Sequence, residues 1–213
     1  DIIYDSIEQT LLYSLLFAVP ASVGIYTLSE QIISVLFERG EFSETSSLFT
    51  TKALQFYALG LVAFILMKIY TPIFFAYENA KPTLYISAIN LIINTILSII
   101  LFIYIGFIGI PIATSVSAWI SVFLMNNSLN RHGYYRVSKR IILPTTIIIL
   151  ASTIMYLYLF LLKNYLGIFF NFFQDNEIIF LLFSVLSSIL LYFILISFYK
   201  PFKYSEIKRI LKK

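Results

Sequence analysis

Long apolar runs separated by short polar breaks dominate the 213-residue chain. Six have membrane-spanning length: Leu11 to Phe37, Ala53 to Tyr77, Thr83 to Ile105, Phe107 to Leu129, Ile141 to Leu162 and Ile178 to Tyr199. The hydrocarbon core of a bilayer, about 30 Å thick, takes about twenty helical residues, so each run predicts one crossing. The first exceeds one crossing and is expected to tilt, to bend at Pro20, or to finish as an interfacial helix from Glu30 onwards. The third and fourth are divided only by "IGFIG", where Gly106 and Gly109 permit a tight reversal. The pattern predicts an all-α polytopic membrane protein with six transmembrane helices. A content of 60% hydrophobic and 18% aromatic residues, with a mean hydropathy of +0.89, exceeds the apolar share of a soluble domain and agrees.

Charge sets the expected orientation, because short cytoplasmic loops retain Lys and Arg. The loop "NRHGYYRVSKR" carries Arg131, Arg136, Lys139 and Arg140, and the tail "KPFKYSEIKRILKK" carries six more bases. With six crossings both ends share a side, and placing that side in the cytoplasm puts Lys81 there as well. Arg39, Lys52 and Lys163 are then left outside, where "FFNFFQDNE" offers Asp175 and Glu177. The net charge of +4 sits beside helix ends, where anionic membrane lipids lie, so it does not point to nucleic acid. The chain has no cysteine, hence no disulfide or thiolate metal site. It opens on "DIIYDSIEQT", a polar lead-in without an initiator Met, and reads as cut from something longer.

One cation stands inside an apolar run. In "LVAFILMKIYTPIFFAYENAKPT", Lys68 lies nine residues before Tyr77, about 13 Å from the helix end at about 1.5 Å per residue. A lysine stem of about 6 Å does not snorkel fully from that depth. A charge there costs about 2.5–3.5 kcal/mol on insertion scales and is expected to face a bundle interior or a wet cavity. Pro72 has no N–H for the Lys68 carbonyl, so a cation and a freed acceptor coincide. Tyr57 and Thr71 share that helical face. Two readings stand: a lysine on a transport path, or one paired with a carboxylate to hold the bundle together. The third to sixth runs contain no Asp or Glu. A carboxylate partner therefore comes from a portion absent here, or from Glu30 near the far side.

The next run, "TLYISAINLIINTILSIILF", carries Ser87, Asn90, Asn94 and Ser98 at spacings of three and four, one polar stripe on an Ile/Leu cylinder. Such a stripe either bonds helices together or lines an aqueous cavity. In "GIPIATSVSAWISVFL", small Ala113, Thr114, Ser117, Ala118 and Ser121 suit close helix contact. His132, the single histidine, sits in the basic loop and reads as solvated. Trp119 lies inside a span and reads as packing or lipid-facing, and Tyr192 and Tyr199 as interfacial belt or packing. No nucleophile with a base, metal-ligand cluster, cofactor site or phosphate loop appears, which argues against an enzyme.

The stretches "FAVPASVGIYTLSEQIISVLFERGEFS" and "ALQFYALGLVAFILMKIYTPIFFAYENAKPT" together resemble the MurJ (MviN) lipid II flippases, of the multidrug/oligosaccharidyl-lipid/polysaccharide exporter superfamily. The shared features are a Pro-containing helix entering "LFERGEF", a helix with "YALGL", a lysine shortly before a Thr-Pro, and an aromatic pair. "GFIGIPIATSVSAW" resembles the family's Gly-rich entry into a small-residue helix ending in Trp. These motifs run to about Arg131. "AYENAKPT" departs from the family's usual Arg or Gly with Asp and then Lys-Thr-Pro.

The resemblance implies a fourteen-helix, two-lobe flippase of which this chain is the second part. Residues 1–131 would be the last four helices of the second lobe, and 132–213 the basic loop, two additional helices bordering a lipid groove, and the tail. It further implies passage of undecaprenyl-pyrophosphate-linked peptidoglycan precursor from the inner to the outer leaflet by alternating access, in the bacterial inner membrane. The missing N-terminal lobe would be an obligatory partner. Lys68 would attract pyrophosphate, Asn94 would offer hydrogen bonds to the head group beside Asn90, Ser87 and Ser98, and Pro20 and Pro72 would supply gating bends. An aromatic-rich groove beyond Arg136 would suit a prenyl tail. Two alternatives stand beside this reading: a flippase or cation-coupled exporter of the same superfamily with other cargo, and a scaffold for cell-wall synthesis proteins.

Overall fold

The structure, a computed structural model, describes residues 2–38, 44–166 and 176–198. Among them are α1 (Ile2–Thr27), α2 (Ser29–Phe37), α3 (Glu44–Ala76), α4 (Lys81–Ile105), α5 (Gly109–Arg131), α6 (Lys139–Leu161) and α7 (Glu177–Phe198). All but α2 are long and apolar enough to cross a membrane, with α4 and α5 joined in one stretch. The all-helical reading therefore stands, with five candidate spans among the described residues, of which Lys81–Arg131 holds the third and fourth runs on either side of their reversal.

The first run resolves into two helices. α1 continues through Pro20 and stops at Thr27, and the nine-residue α2 follows a break at Leu28. Of the three expectations, the separate second helix holds, with its break two residues before Glu30. α1 also begins at Ile2 and α3 at Glu44, well before Leu11 and Ala53. Hydropathy marks where lipid begins, whereas a helix carries its own backbone hydrogen bonds into the polar zone and continues.

Between α4 and α5, Gly106 takes φ +69° in the left-handed region, and a Cβ on Gly109 would stand 2.5 Å from the Leu101 carbonyl carbon. Both glycines are thus required, one for its backbone and one for the close approach. α3 and α5 end alike: Asn79 N–H donates to Phe74 O and Tyr134 N–H to Leu129 O, both at 3.0 Å. These bonds close each helix around a residue of positive φ, Gly133 in α5 and Glu78 in α3.

In space the helices form a row in which α4 packs on α5, α5 on α3, α3 on α1, α1 on α6 and α6 on α7, with α2 against α3 and α7. Leu11 belongs to a core shared with Ala63, Phe74, Ala118 and Met125. Leu16, five residues on, belongs to a second core with Ile148, Met155, Leu159 and Tyr192. α1 is the joint between the two. Large residues elsewhere on α4 and α7, such as Leu91, Ile103, Leu186 and Leu190, are exposed, as lipid-facing positions are.

Small residues decide how closely the central helices approach. Ala113, Ser117, Ala118 and Ser121 on α5 are buried. A Cβ on Gly60 would fall 2.5 Å from Ser115 Oγ. Three carbonyls within four residues of α3 receive donors from neighbouring helices: Ser115 Oγ donates to Phe56 O at 2.6 Å, Ser22 Oγ to Ala58 O at 2.6 Å, and Trp119 Nε1 to Leu59 O at 3.0 Å. Trp119 is half exposed while making this bond, so its packing and lipid-facing roles coexist. Without a hydrophobic driving force in lipid, such hydrogen bonds and close contacts set helix position.

Candidate functional site

Lys68 projects from α3 into a groove of about 410 Å³ whose opposite wall is α1, through Ile3, Ser6, Ile7 and Thr10. Its own side of the groove carries Pro72, so the cation stands in one groove with the proline that deprives the Lys68 carbonyl of its helical donor. The lysine is exposed, and among the described residues it has no ion pair and no hydrogen bond from a side chain. Glu30 is not its partner: that carboxylate pairs with Lys163 at the opposite end of the bundle. Sequence reasoning misses this pairing because α1 packs on α6, which brings the start of α2, where Glu30 stands, against the turn just beyond α6 that carries Lys163, 133 positions away. Tyr57 and Thr71, expected on the Lys68 face, do not line this groove: Tyr57 is exposed, and the Thr71 hydroxyl turns back to Met67 O at 2.8 Å.

The α4 stripe divides. Asn94 Oδ1 accepts from Ser98 Oγ at 3.1 Å and, across the helix interface, from Thr114 Oγ1 at 3.5 Å. Asn90 Oδ1 is buried without a donor, and Ser87 is exposed. The lower stripe therefore bonds α4 to α5, and Asn90 retains an unused acceptor. The groove of Lys68 receives no residue from α4, because α5 lies between α4 and α3. Lys68 and Asn94 are not brought into one cavity within this chain.

The basic end is tied by its aromatics. The Tyr77 and Tyr134 rings stack at 4.2 Å with 5° between planes, and His132 stacks on Tyr134 at 5.2 Å. Asn79 Nδ2 donates to Tyr134 Oη at 3.1 Å, and Tyr4 Oη donates to Gly133 O at 3.4 Å. Arg140 lies 4.0 Å from Asp5. His132 is exposed with Nδ1 2.8 Å from Ser128 O, in keeping with a solvated residue. Tyr135, in the same loop, is fully buried and its hydroxyl has no partner. Burial, with the Glu8 carboxylate second, pushes its phenol above the ordinary value.

Two further cavities lie elsewhere among the described residues. At the end away from the basic loop, Glu30, Glu38, Glu44, Lys52 and Glu177 surround a space of about 620 Å³, where Ser34 donates to the Glu177 carboxylate. Sequence reading found Glu177 on this side but not the convergence with the ends of α2 and α3. Between α1, α6 and α7 lies an apolar groove of about 490 Å³, lined by Phe17, Pro20, Gly24, Met155, Tyr192 and Phe193 among others. Tyr192 belongs to packing, being 1% exposed. Tyr199, Arg39, Asp175 and the basic tail lie outside the described residues.

Long apolar helices, with proline inside α1, α3 and α6 and a lysine that has no ion pair among the described residues, define a polytopic helical membrane protein. The family model described as "Lipid II flippase MurJ" matches residues 1–175, reaching past the motifs that end near Arg131 into α6 and beyond. The chain belongs to the MurJ family. It is 36% identical over 151 residues to the probable lipid II flippase MurJ of Rickettsia prowazekii (strain Madrid E), covering 71% of this chain and 30% of that protein. It is 31% identical over 162 residues to that of Rhizobium meliloti (strain 1021), covering 76% and 30% respectively. A solved structure, the lipid II flippase MurJ in an inward closed conformation, superposes with a TM-score of 0.77 at 29% identity, over 92% of this chain and 39% of that one. The chain thus spans about 30% of the length of these curated relatives.

Proposed function

We propose that this chain is the C-terminal portion of a flippase carrying undecaprenyl-pyrophosphate-linked peptidoglycan precursor, lipid II, from the inner to the outer leaflet by alternating access. It is a transporter rather than an enzyme. Residues 1–131 close the second lobe and 132–213 add the final helix pair. Family membership gives the class of cargo. The observation that carries the site is Lys68, a cation in a groove beside a proline-freed carbonyl with no carboxylate partner among the described residues. A cation at the depth of the hydrocarbon core is costly without an anion, and a pyrophosphate is one. Asn90 and Asn94 belong to the polar wall of the second lobe, and Ser87 and Ser98 flank them. The apolar groove between α1, α6 and α7 has the lining that a prenyl tail requires. The basic loop at one end and the carboxylates at the other support a cytoplasmic C-terminus in the bacterial inner membrane.

Complementation tests the reading. The complete protein is expressed in a bacterium depleted of its own lipid II flippase, as wild type, Lys68→Ala and Lys68→Arg at matched membrane levels. Rescue by wild type, failure of Lys68→Ala and partial rescue by Lys68→Arg is the expected result. A stably inserted wild type that does not rescue assigns the protein to other cargo, and full rescue by Lys68→Ala removes the lysine from the path.

A further inference from the structure

Pro20 stands within α1 and has no N–H, so the Leu16 carbonyl four residues earlier lacks its helical donor. In hydrocarbon, such a carbonyl needs another donor. It finds one 176 positions away: Tyr192 Oη on α7 donates to Leu16 O at 2.8 Å. The tyrosine is 1% exposed and sits in a buried strip of α7 with Ser184, Ser188 and Ile196. Beside it the Phe17 and Phe193 rings lie 6.2 Å apart. Pro72 shows the contrast. The carbonyl it frees belongs to Lys68, which receives no side-chain donor among the described residues and opens on the groove. One proline break is therefore closed by a neighbouring helix and the other is left open.

We propose that Tyr192 is a positioning residue that supplies the donor Pro20 lacks, clasping α7 to α1 so that the two helices move as one body during transport. Separating them would strand the Leu16 carbonyl and the Tyr192 hydroxyl together in an apolar groove, which opposes independent motion. The final helix pair is thereby fastened to the lobe through α1, the helix shared by both cores.

The functional half of this proposal rests on the flippase reading, whereas the contact does not, and the test separates them. In the complete protein, Tyr192→Phe, Pro20→Ala and the double variant are compared by amide hydrogen exchange across residues 16–24 and by complementation. Tyr192→Phe is expected to speed exchange there about fivefold, the equivalent of one net hydrogen bond, and to weaken rescue. In the Pro20→Ala background the helix supplies its own N–H, so the same change is expected to have less than about a twofold effect on exchange. An equal effect in both backgrounds, or none in either, overturns the clasp. A second arm places cysteines at Phe17 and Phe193 and joins them with a short bismaleimide. Retained rescue supports motion as one body, and loss of rescue only on cross-linking overturns it. If wild type itself transports no lipid II, the flippase reading fails while the exchange comparison still decides the clasp.

Discussion

Gly60→Ala provides a test of sign. In a helix interior alanine is ordinarily favoured over glycine by about 1 kcal/mol, so a reading of α3 in isolation predicts stabilisation. The structure predicts the reverse. A Cβ at position 60 would meet Ser115 Oγ at 2.5 Å, Ser115 Cβ at 3.0 Å and Phe64 Cε2 at 3.1 Å. Phe64 presents the far end of a movable ring, but Ser115 does not, because its hydroxyl is engaged with Phe56 O at 2.6 Å. Turning the serine away loses about 0.6 kcal/mol for an interhelical bond in a membrane and still leaves Ser115 Cβ at 3.0 Å, so α3 must also part from α5, an overpacking cost of about 1–3 kcal/mol. Set against the propensity gain of about 1 kcal/mol, the net is a loss of about 0.6–2.6 kcal/mol. Thermal unfolding of the complete protein in detergent, followed by size-exclusion chromatography, measures it. In a Ser115→Gly background the obstruction is gone, and Gly60→Ala is expected to stabilise by up to about 1 kcal/mol. Stabilisation of the unaltered background by Gly60→Ala would refute the argument that this contact sets the α3–α5 distance.

The remaining predictions concern the basic end and the site. Glu78 holds φ +52° at the end of α3, where a left-handed residue other than glycine costs about 1–2 kcal/mol; Glu78→Gly is expected to raise thermal stability by about 1 kcal/mol, and a lower midpoint would show that the Glu78 side chain has a role of its own. Tyr135 has its phenol raised above the ordinary value of 10.0, so the folded state binds the proton more tightly than the unfolded state. The contribution is intact below pH 10.0 and is lost as pH rises above it. Tyr135→Phe is expected to flatten that alkaline decline and, since the hydroxyl has no partner, to leave neutral-pH stability unchanged or about 1 kcal/mol higher; an unaltered alkaline profile would contradict this. A cysteine at Lys68 in the complete protein is expected to react with a small hydrophilic thiol reagent, and protection in every conformation would remove Lys68 from a water-accessible groove.

The sequence determined the solvent, the crossings and the lysine. Hydropathy is a sum over neighbours in the chain, so six runs could be counted without knowing how they pack, and glycines at 106 and 109 marked the α4–α5 reversal because backbone conformation and close approach are local demands. The small residues of α5 likewise announced a close interface. Only tertiary structure decided which faces met. The length of the Leu11–Phe37 run announced a second helix from Glu30 onwards, and only the structure set its start at Ser29, after the break at Leu28. The polar stripe of α4 looked uniform at helical spacing, yet α5 covers only part of it, so Asn94 met Thr114 of α5, Ser98 bonded to Asn94 within α4, and Ser87 stayed exposed. The pairings of Glu30 with Lys163 and of Tyr192 with Leu16 join positions 133 and 176 apart. Periodicity assigns a residue to a face of its own helix, but a hydrogen bond or ion pair also needs the partner's face at the same depth. That coincidence is fixed by the order in which the helices stand side by side.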